Sequence, residues 1–361
     1  DLIIEAPDRA VSYLAVSASN QGYELAVSSQ PLSPASALAL PAAPGETTGI
    51  IEPRVTIGMV GDIMPAGYVS RILDGGVPTQ LHRVGRLLGS ADIALANLEA
   101  PLTAAGAATS LKTPAELRAR SEFVFKADPE PGLALLQTLG IDAVSLANNH
   151  ILDYQAQGLA DTKSHLRTAG IASTGAGSAR EARRPALPAS HSLSCGLLSY
   201  AATETLPRPS TFEARSDTPG VALIHYDAQG PVASTRQMLA SDIKALRENV
   251  DIVVVALHWG TEGSAALRAG QRELAHFCID QGADVIWGHH PHRLQPVELY
   301  RGKPIAYSMG NFVFNSPPHR HLLRSGVLIT CFDTRGLIAA SLIPAAVGSS
   351  SGTFGNSMPG I

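Results

Sequence analysis

Cysteine is scarce: Cys195, Cys278 and Cys331 are the only three in 361 residues. They are odd in number, far apart and in no Cys-x-x-Cys pair, which excludes a disulfide framework and a cysteine zinc site. No apolar run reaches the length of a membrane-spanning helix. Charge is also sparse: charged residues make up 16% and the formal net charge is -4, so no global basic field argues for nucleic acid. Lysine is rare among the bases, being confined to Lys112, Lys126, Lys163, Lys244 and Lys303. A leading methionine and a charged-then-apolar signal segment are both missing, and the chain opens on Asp1. Removal of a leader would imply an extracytoplasmic protein and trimming a cytoplasmic one, so compartment stays open. What is present is 45% hydrophobic and long enough to bury a sizeable core, which excludes a disordered chain.

Residues 1–54 read as an arm or linker, because Ser28 to Gly49 is rich in Ser, Pro, Ala and Gly without a period, with one short strand around Tyr23–Val27. Residues 347–361, rich in Ser and Gly, read as a flexible tail. Between them, residues 55–346 form one domain in which strand-length apolar runs alternate with helical periods. The runs are Val55–Val60, Ile93–Ala96, Ala143–Ala147, Ile252–Leu257, Val285–Trp287 and Ile305–Tyr307. Helices are expected over Leu81–Leu88, Pro131–Leu139, Leu159–Ala169, Arg236–Glu248 and Gln271–Gln281. That alternation predicts an α/β sandwich with buried sheets.

Five of the strands run straight into residues able to hold a metal. They end in Gly61-Asp62, in Asn97-Leu98-Glu99, in Asn148-Asn149-His150 with Asp153 just beyond, in His258 through Glu262, and in Gly288-His289-His290-Pro291-His292. Ligands of open α/β sheets collect outside the carboxyl ends of strands, so five such clusters on one edge converge. Each alone has a structural reading: an Asp cap, a solvated Glu99, turn-forming asparagines, a core His258. Three imidazoles within four residues between Gly and Pro are hard to explain by packing. Carboxylates, an Asn carbonyl and imidazoles without a thiolate suit divalent ions such as Mn, Zn, Fe or Ni. A carboxylate flanked by His on both sides suits two ions, roughly 3.5–4 Å apart.

These segments resemble the CapA, or poly-γ-glutamate capsule synthesis, family within the calcineurin-like metallophosphoesterases. The resemblance spans Val55 to Pro344 through GMVGDIMPAG (58–67), ADIALANLEAPLT (91–103), GIDAVSLANNHILDY (140–154), DIVVVALHWGTE (251–262), GADVIWGHHPHRLQPVE (282–298) and KPIAYSMGNFVF (303–314). It implies a metallophosphoesterase-like, four-layer α-β-β-α sandwich. It also implies metal ligation by Asp62, Glu99, Asn149, His258, His290 and His292, with Glu99 bridging, Asn97 a weaker candidate for that place, and His289 able to replace His290. His150 would face the reacting group, with Asp153 and Glu262 as further acid/base candidates, and Tyr307, Ser308 and Asn311 would support the ligands. Met64 stands where the wider superfamily has a ligand His, Gln155 where the branch has Gly, and Gly263 where it has an aromatic residue.

Three functions fit this constellation. One is a hydrolase in which metal-bound hydroxide attacks a phosphoester or amide while His150 handles a proton. The others are an isomerase that exchanges a Cα proton and a non-catalytic capsule-assembly accessory protein with structural metals. The expected partners are a small-molecule, peptide or polyanionic polymer substrate and capsule-synthesis proteins, not nucleic acid.

Overall fold

The structure is a computed structural model that describes residues 2–4, 13–19, 22–28, 53–120, 122–314 and 323–347. The strands that matter for function are β1 (Arg54–Ile63), β2 (Ile93–Leu98), β3 (Ala143–Ser145), β4 (Cys195–Ala202), β5 (Ile252–His258), β6 (Val285–His289), β7 (Lys303–Ala306) and β8 (Asn311–Val313). In one sheet β1, β2 and β3 are parallel neighbours, with β8 pairing to β1 and a long antiparallel hairpin, Leu323–Asp333 and Gly336–Val347, on the other side of β1. In the other sheet β4, β5, β6 and β7 run parallel in that spatial order. The segment expected to be one short strand near Tyr23 forms a hairpin, Tyr13–Ser19 with Gly22–Ser28, joined to Gly336–Val347, while Leu2–Ile4 edges the second sheet. Residues 29–52 and 348–361 lie outside the described residues.

Side chains alternate across a strand, so each buried strand feeds two cores. Val55, Ile57 and Met59 of β1 and Ile93 and Leu95 of β2 share a cluster with Leu197, Val254, Ala256, Val285 and Trp287 of the second sheet. That cluster fills the space between the sheets. The intervening residues Val60, Ala94, Ala96 and Leu98 pack under α1 (Thr79–Leu88), α2 (Pro129–Thr138) and α3 (Gln155–Thr168). On the far side Leu198, Val253, Val255, Leu257 and Ile286 pack under α4 (Ala233–Arg247) and α5 (Gln271–Asp280). The layers are therefore helix, sheet, sheet, helix, the architecture implied by the motif resemblance. The Trp287 indole nitrogen donates to the Val60 carbonyl at 2.9 Å, a polar tie between the two sheets. No described helix is long and apolar enough to cross a membrane.

Candidate metal centre

Parallel pairing puts the carboxyl ends of β1, β2 and β3 side by side, and those of β5 and β6 likewise. Register does the rest: Asp62 is opposite Asn97 on one side and Asn311 on the other, and His258 is opposite His289. Two glycines allow the close approach. A Cβ on Gly61 would lie 1.9 Å from the Gly310 carbonyl oxygen, and one on Gly288 would lie 1.9 Å from that of Tyr307. Beyond Gly288 the chain turns sharply, with His290 at φ 94° and His292 at φ 56°. Such left-handed backbone is uncommon for a residue with a Cβ and gathers at functional sites.

Seven of the expected ligand residues meet at this edge. Asp62, Glu99 and His292 each offer one ligand atom, and the three atoms lie within 4.8 Å of one another. His289 Nδ1 is 2.8 Å from Asp62 Oδ1, and His292 Nδ1 is 3.3 Å from Asp62 Oδ2. Glu99 Oε1 sits between two imidazoles, 3.9 Å from His292 Nε2 and 3.8 Å from His258 Nε2. His258 Nε2 is also 3.0 Å from Asn149 Oδ1, and the His258 and His290 rings are 4.8 Å apart. Glu262 is exposed at the rim, where its charge is felt by Glu99 and His292. Asn97 is not a ligand candidate in this arrangement, because its amide donates to both Asp62 Oδ1 (2.9 Å) and Glu99 Oε2 (3.3 Å). Asn148 shapes the turn by accepting the His150 and Ile151 amides.

The groups of the cluster perturb one another strongly. Burial alone would raise the Asp62 carboxyl, yet the hydrogen bond from His289 and the charges of His289 and His292 hold it well below the usual range. Burial, then the Asp62 charge, push Glu99 well above it. His292 is lifted to about 9 because the Glu99 and Asp62 carboxylates outweigh burial. Burial, then the neighbouring His290, press His258 well down, which works against an ion pair with Glu99. His290 falls to about 3 through burial and the charge of His292. Asp62 Oδ2, Glu99 Oε1, His258 Nδ1, His289 Nε2 and His290 Nδ1 are buried without a hydrogen-bond partner. Buried polar atoms are rarely left so. Five orphans among carboxylates and imidazoles fit a divalent ion, so this buried Asp/Glu/His cluster could hold one.

Beside the expected ligands lies a second, charged cluster of side chains. His150 Nδ1 is 2.7 Å from Asp153 Oδ2, which also accepts the Phe125 amide at 2.7 Å. The Lys112 ammonium, its side chain fully buried, reaches Asp153 Oδ1 at 2.6 Å, the Phe123 carbonyl at 2.8 Å and His150 Nδ1 at 3.1 Å. Burial and the Lys112 charge lower the His150 pKa against the pull of Asp153. Lys112 escaped the sequence reading: it stands 38 residues before His150, in a stretch with no apolar period. Of the three residues expected to support the ligands, Asn311 contacts one of the expected ligands, its Oδ1 lying 2.8 Å from His292 Nδ1. Tyr307 instead packs in the outer core with its hydroxyl on Glu298, and the Ser308 hydroxyl accepts the Gly310 amide. Their contribution is to the scaffold behind β6.

A layered α/β fold with a buried carboxylate-imidazole cluster at its strand ends defines a candidate metalloprotein. The family model for the bacterial capsule synthesis protein PGA_cap matches residues 56–316, and the chain belongs to that family. Among curated relatives, a probable polyglutamine synthesis accessory protein of Mycobacterium tuberculosis is 38% identical over 223 residues, 62% of this chain and 55% of that protein. The PGA biosynthesis protein CapA of Bacillus subtilis is 30% identical over 263 residues, 72% of this chain and 63% of that protein. The chain thus spans about three fifths of the length of these relatives. Among solved structures, TT1561 of Thermus thermophilus is similar with a TM-score of 0.41 and 11% identity, covering 79% of this chain and 97% of that one.

Proposed function

We propose that this chain is a metal-dependent hydrolase acting on a phosphoester or amide bond, in poly-γ-glutamate capsule synthesis. The observation that carries the reading is the juxtaposition of two unlike groups: a buried carboxylate-imidazole cluster with orphaned atoms, and the His150–Asp153 pair beside it. Asp62, Glu99 and His292 would hold an ion, and Asn149, His258 and His290 are the residues that would hold a second. His289 would orient Asp62. A bound ion supplies a Lewis acid that polarises the substrate and lowers the pKa of a coordinated water.

The rest falls to the chain. Asp153 fixes the His150 ring by accepting Nδ1–H, which leaves Nε2 to take up or return a proton as the scissile bond breaks. Burial, then the Lys112 charge, favour the neutral form of that imidazole. Glu262 at the rim orients substrate or water. The relatives named for capsule and polyglutamine synthesis support a polyanionic or γ-glutamyl substrate.

The test is turnover of generic phosphomonoesters and phosphodiesters and of γ-glutamyl amides with added Mn²⁺. His150→Ala should lose about 10²–10⁴-fold in turnover, the usual contribution of a positioned acid or base, with metal content unchanged. Deuterium exchange into substrate without cleavage would replace hydrolysis by Cα isomerisation. Binding of polyglutamate with no turnover of any kind would make the chain an accessory protein.

A further inference from the structure

We infer that Lys112 is a positioning residue that fixes the His150 ring with its proton on Nδ1 and its lone pair on Nε2. The inference rests on the proposed role of His150 in proton handling. Lys112 lies on neither sheet. It comes from residues 103–128, the excursion between β2 and α2, which is pinned back by Leu102 bridging to Ala127 and by the Thr109 amide donating to the Asp153 carbonyl at 2.8 Å. A buried ammonium is expensive unless it is paired and hydrogen-bonded, and a well-packed apolar side chain would serve mere packing at least as well. A buried lysine here therefore points to something its charge does.

The geometry shows what that is. Lys112 holds Asp153 Oδ1 and the Phe125 amide holds Oδ2, so the carboxylate is fixed at both oxygens with Oδ2 facing the imidazole; without Lys112 it would keep one anchor and could turn away from Nδ1. Nδ1 then lies 2.7 Å from an obligate acceptor and 3.1 Å from an obligate donor. A bare Nδ1 would set its lone pair against Oδ2 at the shorter distance. Protonated Nδ1 satisfies the carboxylate, and the ammonium keeps its hydrogens for Asp153 and the Phe123 carbonyl. Nε2 is left as an acceptor, so His150 meets its substrate as a base before it acts as an acid. An imidazole's tautomer is set in this way by the hydrogen bond at its other nitrogen.

The experiment is ¹⁵N-histidine NMR of the whole chain, with Zn²⁺ bound and again after chelation, the His150 signals being assigned with His150→Ala. The wild type should show the Nδ1–H tautomer in both states. Lys112→Met should give a mixture of tautomers and a fall of about 10–100-fold in kcat, the usual cost of losing such a partner, with KM and metal content unchanged. Lys112→Met that keeps the tautomer and kcat while only lowering Tm would overturn the inference and leave the lysine as a pin for the excursion. So would an Nε2–H tautomer in the wild type, a measurement that stands even if the variant does not fold. Full turnover in His150→Ala would instead sink the proposed role of His150, and the tautomer measurements would still decide the part played by Lys112.

Discussion

At the scale of single residues the centre divides into atoms that could touch an ion and atoms that aim them. His292 belongs to the first group and Asn311 to the second. Asn311 Oδ1 at 2.8 Å from His292 Nδ1 directs Nε2 toward Glu99. Losing such a partner costs about 10–100-fold in metal affinity or activity. Asn311→Ala is therefore expected to weaken metal binding by that factor in competition with a chelator, whereas His292→Ala should remove metal outright on dialysis. Equal retention in both variants would detach His292 from the centre. Most of this shell was legible in the chain because each residue follows an apolar run directly, and strand ends of a parallel sheet converge. What was not legible came from outside that rule. Lys112 reaches His150 from an excursion whose path depends on tertiary pinning, and nothing in its neighbours' spacing marks it. Tyr307 was misread because its place after a strand resembles that of a supporting residue, while its face of the sheet points to the outer core.

At the scale of elements, the apolar runs located strands β1, β2, β3, β5, β6 and β7 to within a few residues, since each is buried on both faces. Strand β4, Cys195–Ala202, went unseen: its run is interrupted by Gly196 and Ser199, although all eight residues are buried. The long hairpin that flanks β1 was missed in the same way, since Ser325, Gly326, Thr330 and Ser341 break its apolar pattern. The excursion that carries Lys112 has its own short helix, Pro114–Ala119, started by a capping box in which Thr113 and Glu116 satisfy each other's backbone amides. Glu116 also pairs with Arg208 at 2.8 Å, clasping the excursion to the segment after β4. The Arg208 hydrogen bond, then those from Thr113, hold the Glu116 carboxyl at about 2. A carboxyl depressed on folding contributes stability above its unfolded value, and that contribution is lost as pH falls through the folded one. The clasp should therefore be intact at pH 5 and above and weaken between about 4.5 and 2, the ordinary and depressed values of a Glu. Hydrogen exchange over residues 109–120 should speed up in that window, corrected for intrinsic rates, and Glu116→Gln should exchange fast already at pH 6. Protection unchanged down to pH 2 would show that the clasp is not what holds the excursion.

At the scale of the whole molecule, the centre spans the two sheets. Asp62 lies at the end of β1 and Glu99 and Asn149 follow β2 and β3 of one sheet, and His258, His289, His290 and His292 belong to β5, β6 and the loop beyond in the other. Among the described residues the sheets are otherwise joined mainly by apolar contact, with the Trp287–Val60 and Ser145–Ser199 hydrogen bonds beside it. An ion held by Asp62, Glu99 and His292 would cross-link the layers at one end and offset the burial and the Asp62 charge that raise Glu99. Ligand binding to the folded state alone adds about 4 kcal/mol at a thousandfold excess over Kd. Chelation should thus lower Tm by several degrees, and restoring Mn²⁺ or Zn²⁺ should recover it. The effect has a sign with pH. Without metal, His292 is raised to about 9, so its protonated pairing with the carboxylates stabilises the fold below about 6.5 and is lost as pH rises through 9. Metal needs the same imidazole unprotonated, so binding displaces that proton and is opposed by it at low pH. The gain in Tm on adding metal should therefore grow from pH 6 to pH 9. In His292→Ala both the gain and its growth with pH should largely vanish. A metal-induced shift in that variant equal to the wild type, at both pH values, would place the ion somewhere other than between the sheets.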